Sequence, residues 1–313
     1  MTKFPGPEPI PRKVALARLV RNRQIIRAAQ IGIALRCVII LIELIGVYLT
    51  QSSALFTDAM ASLTDVLSTT FLIVCIQLAR RPPDKEHPFG HGRYEPLGGL
   101  LLGMMMIVLG GVLLVQQLFG IGQEESHSSI HYLTWIFPAI AVVLLEICYR
   151  LIMQTAKKEN SPALVADALH YRVDSVTSLL AMAALIIAAL FPAWSQFVDH
   201  IGALLIAAFM IVLGIYGSRG NLHQLMDKVP EKVFFKKVRS AALRVEGVKE
   251  TEKIRIQSYG PDAHVDIDIE VDSKLTVEAA HKISQKVRAE IQKEWPAVRD
   301  VTVHVEPYYA NDH

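Results

Sequence analysis

Long apolar runs dominate the chain up to about residue 220, and no other feature constrains its fold as strongly. Six candidate spans stand at roughly 31–51, 53–79, 97–120, 132–154, 163–191 and 197–218, each reaching the ~20 residues a helix needs to cross a bilayer core. A soluble all-helical core does not need six such runs. The final part, about 85 residues, has ordinary soluble composition, so the 52% hydrophobic content of the 313 residues is concentrated in the spans.

Charge between the spans gives an orientation. The N-terminal stretch RKVALARLVRNRQIIR and the connections ARRPPDKEHPFGHGRYE and YRLIMQTAKKENS carry Lys and Arg. The connections around Gln51–Ser53, GIGQEESHSSIH and FPAWSQFVDH carry none. By the positive-inside rule both termini are expected on the cytoplasmic side. The organisation expected is a basic cytoplasmic segment at 1–30, a six-helix transmembrane bundle at 31–225 and a cytoplasmic domain at 226–313. No short apolar core with a small-residue cleavage site is evident near the N-terminus, so no cleavable signal peptide is expected. Cys37, Cys75 and Cys148 stand singly within spans, without a Cys-x-x-Cys pair, which suits packing rather than a disulfide framework. A net charge of +2 says little about partners, and no nucleic-acid motif is present.

The tail reads as a small α+β domain. Residues 231–246 pattern as an amphipathic helix. EKIRIQSYG and AHVDIDIEVD alternate with period two, which sets Val265, Ile267, Ile269 and Val271 on one face. TVEAAHKISQKVRAEIQKEW is a second amphipathic helix and VTVHVEP a closing strand. The order α-β-β-α-β implies a sheet covered by helices on one face, short enough that docking or dimerisation is expected to support it.

Within the spans, TDAMASLTD (Thr57–Asp65) and ADALHYRVD (Ala166–Asp174) share an outline of Asp-Ala, five residues and Asp. Asp65 and Asp174 lie about twelve and eleven residues into their spans, near the bilayer centre at ~1.5 Å per residue. A charge there costs at least ~2.5–3.5 kcal/mol, so such groups face a cavity or a partner and mark a pathway. Asp58, Ala61 and Asp65 share one helical stripe, as do Asp167, His170 and Asp174. The second and fifth spans run antiparallel, so Asp65 can meet His170. Two carboxylates and one imidazole suit a divalent transition metal, Zn²⁺ or Fe²⁺ more than Ca²⁺ or Mg²⁺. Interhelical hydrogen bonds or salt bridges are the plainer alternative. Arg172 lies about 200° around the helix from His170 and is expected to face Glu43 or Glu146.

ALFTDAMASLTD, HPFGHGRYEPL, SPALVADALHYRVDS and LMDKVPEK, followed by the α-β-β-α-β tail, resemble the cation diffusion facilitators in order and spacing over about residues 15–308. That family consists of dimeric divalent-metal/proton antiporters with a metallochaperone-like tail, and the likeness is to bacterial zinc- and iron-transporting members. The resemblance implies a transporter rather than an enzyme, working as a homodimer in a lipid bilayer, with both termini cytoplasmic in a bacterial inner membrane. Its substrate is expected to be Zn²⁺ first, with Fe²⁺, Mn²⁺ or Co²⁺ possible, and no prosthetic group is implied.

Carried over, the transport-site positions are Ala61, Asp65, His170 and Asp174. Ala61 cannot ligate, which leaves three protein ligands and an open place. The resemblance further implies a loop site at Asp84, His87 and His91, whose histidines also have chelating spacing if the loop forms a helical turn. It implies tail ligands at His281, His304 and Glu306, with Asp268 and Glu252 where zinc-transporting relatives carry histidines, and His264 is a further candidate. Arg93 and Asp227 match a charged interlock between protomers. Asp58 and Asp167, read from the stripes, are expected to line the outer and inner approaches. Two rivals remain. An intramembrane aspartyl protease would pair two aspartates as acid and base, but no Gly-x-Gly-Asp signature appears. A family member degraded at Ala61 would act as a scaffold or metal-sensing partner.

Overall fold

The computed structural model describes residues 12–50, 53–119, 136–190 and 195–309. The side chains of residues 53–61 lie outside that description, so Asp58 and Ala61 are placed on their helix by backbone alone. Of the connections that lack Lys and Arg, GIGQEESHSSIH and the first four residues of FPAWSQFVDH, within 120–135 and at 191–194, also lie outside it.

Six helices precede the tail among the described residues: α1 (Arg12–Thr50), α2 (Ser53–Ala79), α3 (Tyr94–Phe119), α4 (Ile136–Lys158), α5 (Pro162–Leu190) and α6 (Ser195–Leu225). Within the described residues, α1, α3, α4 and α6 are each long and apolar enough to cross a membrane. Their large apolar side chains, among them Leu41, Val108, Val143 and Val212, are well exposed. Such a surface suits lipid and not water.

The first helix differs from the sequence expectation. The periodicity sets its span at 31–51, yet α1 begins at Arg12 and runs unbroken for 39 residues. Residues 12–30 contain no Pro or Gly and are rich in Ala, Leu, Arg and Gln, so nothing stops the helix there. At ~1.5 Å per residue α1 is about 58 Å long, nearly twice a bilayer core.

Gln24–Leu222 form one compact unit, and the residues on either side of them form another. The core of the first unit joins Ile25, Ala29 and Ile39 of α1, Leu72 and Ile76 of α2, Leu145 and Ile152 of α4, and Leu164 and Tyr171 of α5. Sequence chemistry sets the turn from α4 to α5. Asn160 takes a left-handed φ of 49°, and Ser161 N–H reaches back to the Ala156 carbonyl at 3.0 Å, which closes α4 as a Schellman end. Ser161 then caps α5, its hydroxyl accepting from Leu164 N–H at 3.2 Å, with Pro162 at the first helical position. The same hydroxyl donates to Glu95 of α3 at 2.5 Å. Asn221 of α6 donates to the Pro162 carbonyl at 3.1 Å. These bonds fix where α5 starts, and therefore the height of its polar stripe.

In the other unit α7 (Lys232–Leu243), β1 (Glu250–Tyr259), β2 (Asp262–Val271), α8 (Val277–Glu294) and β3 (Val298–Pro307) follow the expected α-β-β-α-β order. The sheet order is β1-β2-β3, with β1 antiparallel and β3 parallel to β2. Tyr259 pairs Asp262 across a two-residue loop whose first residue, Gly260, has φ +60°, as a II′-type hairpin requires. Val265, Ile267 and Ile269 are buried against Val238, Ala242, Val287 and Ile291 of the two helices. Residues 264, 266, 268 and 270 of β2 and 302, 304 and 306 of β3 alternate onto the other face, where Asp266, Thr302 and His304 are exposed and Glu270 is buried. Arg18 of α1 belongs to this unit and donates to the carbonyls of Pro296 at 2.7 Å and Val298 at 2.6 Å.

Candidate metal centre

Asp65 on α2 and His170 on α5 meet as the antiparallel stripes require, with His170 Nε2 2.9 Å from Asp65 Oδ1. Asp174, one turn further along α5, brings Oδ2 to 4.0 Å from the same nitrogen. The antiparallel register continues one turn deeper: Thr69 of α2 donates to Asp167 of α5 at 2.9 Å. One donor atom from each of Asp65, His170 and Asp174 falls within 4.8 Å of the others. His170 is buried, and the two carboxylates are only about a fifth exposed. Three convergent donors in a low-dielectric setting can hold a divalent ion, with the fourth place open to water.

A fourth side chain, absent from the sequence reading, stands among them. Arg36 of α1 sets Nη1 2.9 Å from Asp65 Oδ2 and pairs through Nη2 with Asp174 Oδ2. Its guanidinium also lies 4.7 Å from the centre of the Tyr171 ring. The sequence did carry a signal. An arginine six residues into an apolar span is costly enough to demand partners, though its partners lie far away in sequence.

Asp167 is fully buried. Its Oδ1 accepts from Thr69 and its Oδ2 has no hydrogen-bond partner among the described residues. Its carboxyl is enclosed within the bundle in this conformation. Arg172 resolves its two options by pairing with Glu146 of α4, which also accepts from Arg150 at 2.8 Å.

The loop donors come together without the helical turn that their spacing suggested. Residues 81–93 are irregular. Asp84 instead forms an Asx turn, its Oδ1 accepting from the N–H groups of His87 at 2.7 Å and Glu86 at 3.0 Å. That turn places His87 Nδ1 and His91 Nε2 each 3.4 Å from an Asp84 oxygen. The His87 amide above all, helped by the Glu86 amide and the two imidazoles, holds the Asp84 carboxyl below its ordinary range.

In the tail, Asp268 and His304 are register partners on β2 and β3. His304 Nδ1 is 3.8 Å from Asp268 and 3.2 Å from Glu306, and the three make a third donor cluster. Glu252 of β1 shares a hydrogen bond with Glu306, which raises its pKa. His281 is not part of the cluster. It sits on α8, over the buried face of the sheet, whereas strand alternation sends His304 to the other face. His264 pairs with Asp266 at 3.0 Å and Thr302 at 3.2 Å, apart from the cluster. Arg93 lies just before α3. Asp227 ends α6 in a left-handed turn at φ 53°, with Lys228 N–H returning to the His223 carbonyl at 2.9 Å.

Residues 29–226 match the family model described as the cation efflux transmembrane domain, and residues 230–308 match that of the cation efflux protein cytoplasmic domain. The first match alone covers more than half of the chain. The chain belongs to the cation diffusion facilitator family. It is a transporter of divalent metal cations and not an enzyme, an integral membrane protein with a cytoplasmic C-terminal domain. This facilitator is 27% identical over 306 residues to the manganese efflux system protein MneP of Bacillus subtilis, covering 96% of this chain and 98% of that one. It is 27% identical over 283 residues to MneS of the same organism, covering 89% and 94%. To the magnetosome protein MamM of Magnetospirillum gryphiswaldense it is 29% identical over 263 residues, covering 83% and 81%. A solved MamM C-terminal domain covers 25% of the facilitator and 95% of itself, at 28% identity and a TM-score of 0.25.

Proposed function

We propose that this facilitator exports a divalent transition metal from the cytoplasm in exchange for protons, and that Asp65, His170 and Asp174 hold the metal in transit. The observation that carries this reading is the convergence of those three donors from two helices inside the apolar bundle. Carboxylates and imidazole must be deprotonated to ligate, so protons arriving from the other side displace the metal. Asp167 and Asp58 are the inner and outer steps of the path.

Mn²⁺ is the proposed substrate, ahead of the Zn²⁺ that the family resemblance first suggested. Two near-full-length relatives are named as manganese efflux proteins. A site with two carboxylates, one imidazole and room for water also suits a harder ion than a histidine-rich site does. Fe²⁺ is chemically next. The facilitator works as a homodimer in a bacterial inner membrane, with both termini cytoplasmic. Arg93 and Asp227 interlock its protomers, the Asp84–His87–His91 loop delivers or senses metal, and Asp268, His304 and Glu306, with His281 on the far face, regulate through the tail.

A second reading has its own support. Position 61 supplies no donor, and Arg36 engages both carboxylates of the site, as suits a partner protein that binds metal poorly and transports none. Proteoliposomes with an acidic lumen separate the two. With Mn²⁺, Fe²⁺, Co²⁺ or Zn²⁺ supplied outside, Mn²⁺ should accumulate fastest, and collapsing the pH gradient should stop it. Movement of none of the four would refute transport and leave the scaffold.

A further inference from the structure

We infer that Arg36 is a tethered cation that competes with the substrate metal for the transport site and returns to it when the metal leaves. The inference rests on the reading of Asp65, His170 and Asp174 as the metal ligands, and it adds a residue from a third helix.

Arg36 is held by contacts to both carboxylates. Its side chain is 3% exposed, one nitrogen lies 2.9 Å from Asp65 Oδ2, and another pairs with Asp174 Oδ2. His170 takes Asp65 Oδ1 at 2.9 Å. Asp174 Oδ2, the oxygen 4.0 Å from His170 Nε2, is the one that Arg36 holds, so an ion shared by His170 and that oxygen must take it from the guanidinium. A guanidinium does not discharge in a protein, so it has to move. While it stays, its positive charge repels a doubly charged ion at short range in a low dielectric. An empty site without Arg36 would leave two aspartates close together in the bundle with only an imidazole between them, which is costly. One residue thereby weakens metal binding and compensates the empty state. Both effects suit a carrier that must release its cargo, and together with the missing donor at position 61 they make the site a weak one. Tyr171, 4.7 Å away, gives the guanidinium an aromatic face to rest on.

The test is Mn²⁺ binding by isothermal titration to the full-length protein in nanodiscs. The parent carries Asp84→Ala and His304→Ala, so that neither the loop nor the tail cluster is complete. Arg36→Gln should bind Mn²⁺ on the order of tenfold more tightly than the parent, since it removes the competing charge. Arg36→Lys keeps the charge but cannot bridge two carboxylates with a planar fork, so it should fall between the two. Should Arg36→Gln fail to fold, tighter binding by Arg36→Lys than by the parent supports the inference, and equal or weaker binding overturns it. If Arg36→Gln folds and binds no more tightly than the parent, Arg36 is a scaffold and the inference is wrong. Adding Asp65→Ala to the parent separates this failure from failure of the site. Binding that survives Asp65→Ala removes the site reading itself, whereas binding lost in Asp65→Ala but not tightened in Arg36→Gln removes only the role of Arg36.

Discussion

Glu252 and Glu306 share a hydrogen bond in the tail, and that bond is the main reason the Glu252 pKa is raised. A carboxyl raised in the folded state contributes stability that is full below its unfolded pKa, about 4.3 for Glu, and is lost as pH rises through the folded value. The intact protein should therefore lose tail stability as pH rises above the ordinary glutamate range, as the pair ionises and repels. Glu252→Gln removes that loss, so the thermal midpoint of the variant should gain on the wild type as pH rises. Added Mn²⁺ should restore the wild type at neutral pH by bridging the carboxylates. A difference between the two proteins that does not change with pH would contradict this account. At this scale the sequence was informative where partners are local. His170 and Asp174 are one helical turn apart, and Asp268 and His304 follow from strand parity. Arg36 was not legible as a site residue, because nothing local ties it to Asp65 and Asp174, and the Asx turn at Asp84 does not follow from ligand spacing.

Among the elements, the contact of α3 with α6 depends on small residues. A methyl group added at Gly103 would come within 3.0 Å of the Ser218 backbone nitrogen, and one at Gly214 within 2.9 Å of the Gly103 carbonyl oxygen. Helices in lipid gain little from hydrophobic exclusion and rely on this close approach. Gly103→Val should separate the pair and lower stability by about 1–3 kcal/mol, the usual cost of overpacking. The thermal midpoint of the detergent-purified protein checks this, and an unchanged midpoint would show that α6 does not need the contact. The existence and order of the helices and strands were readable from apolar runs and alternation. The start of α1 was not, because a basic, breaker-free segment continues a helix without leaving an apolar signature.

For the whole molecule, three donor clusters lie among the described residues: one in the membrane helices, one in the loop before α3 and one on the tail sheet. Only the first lies within the apolar bundle, so the account makes it the transport site and gives the others supporting roles. The sharpest measurement is Mn²⁺ flux into proteoliposomes under a pH gradient, with Asp84→Ala and His304→Ala present and Asp65→Ala then added. The account predicts that flux persists without the loop and tail donors and stops when Asp65 is lost. Undiminished flux through the Asp65→Ala protein would contradict it.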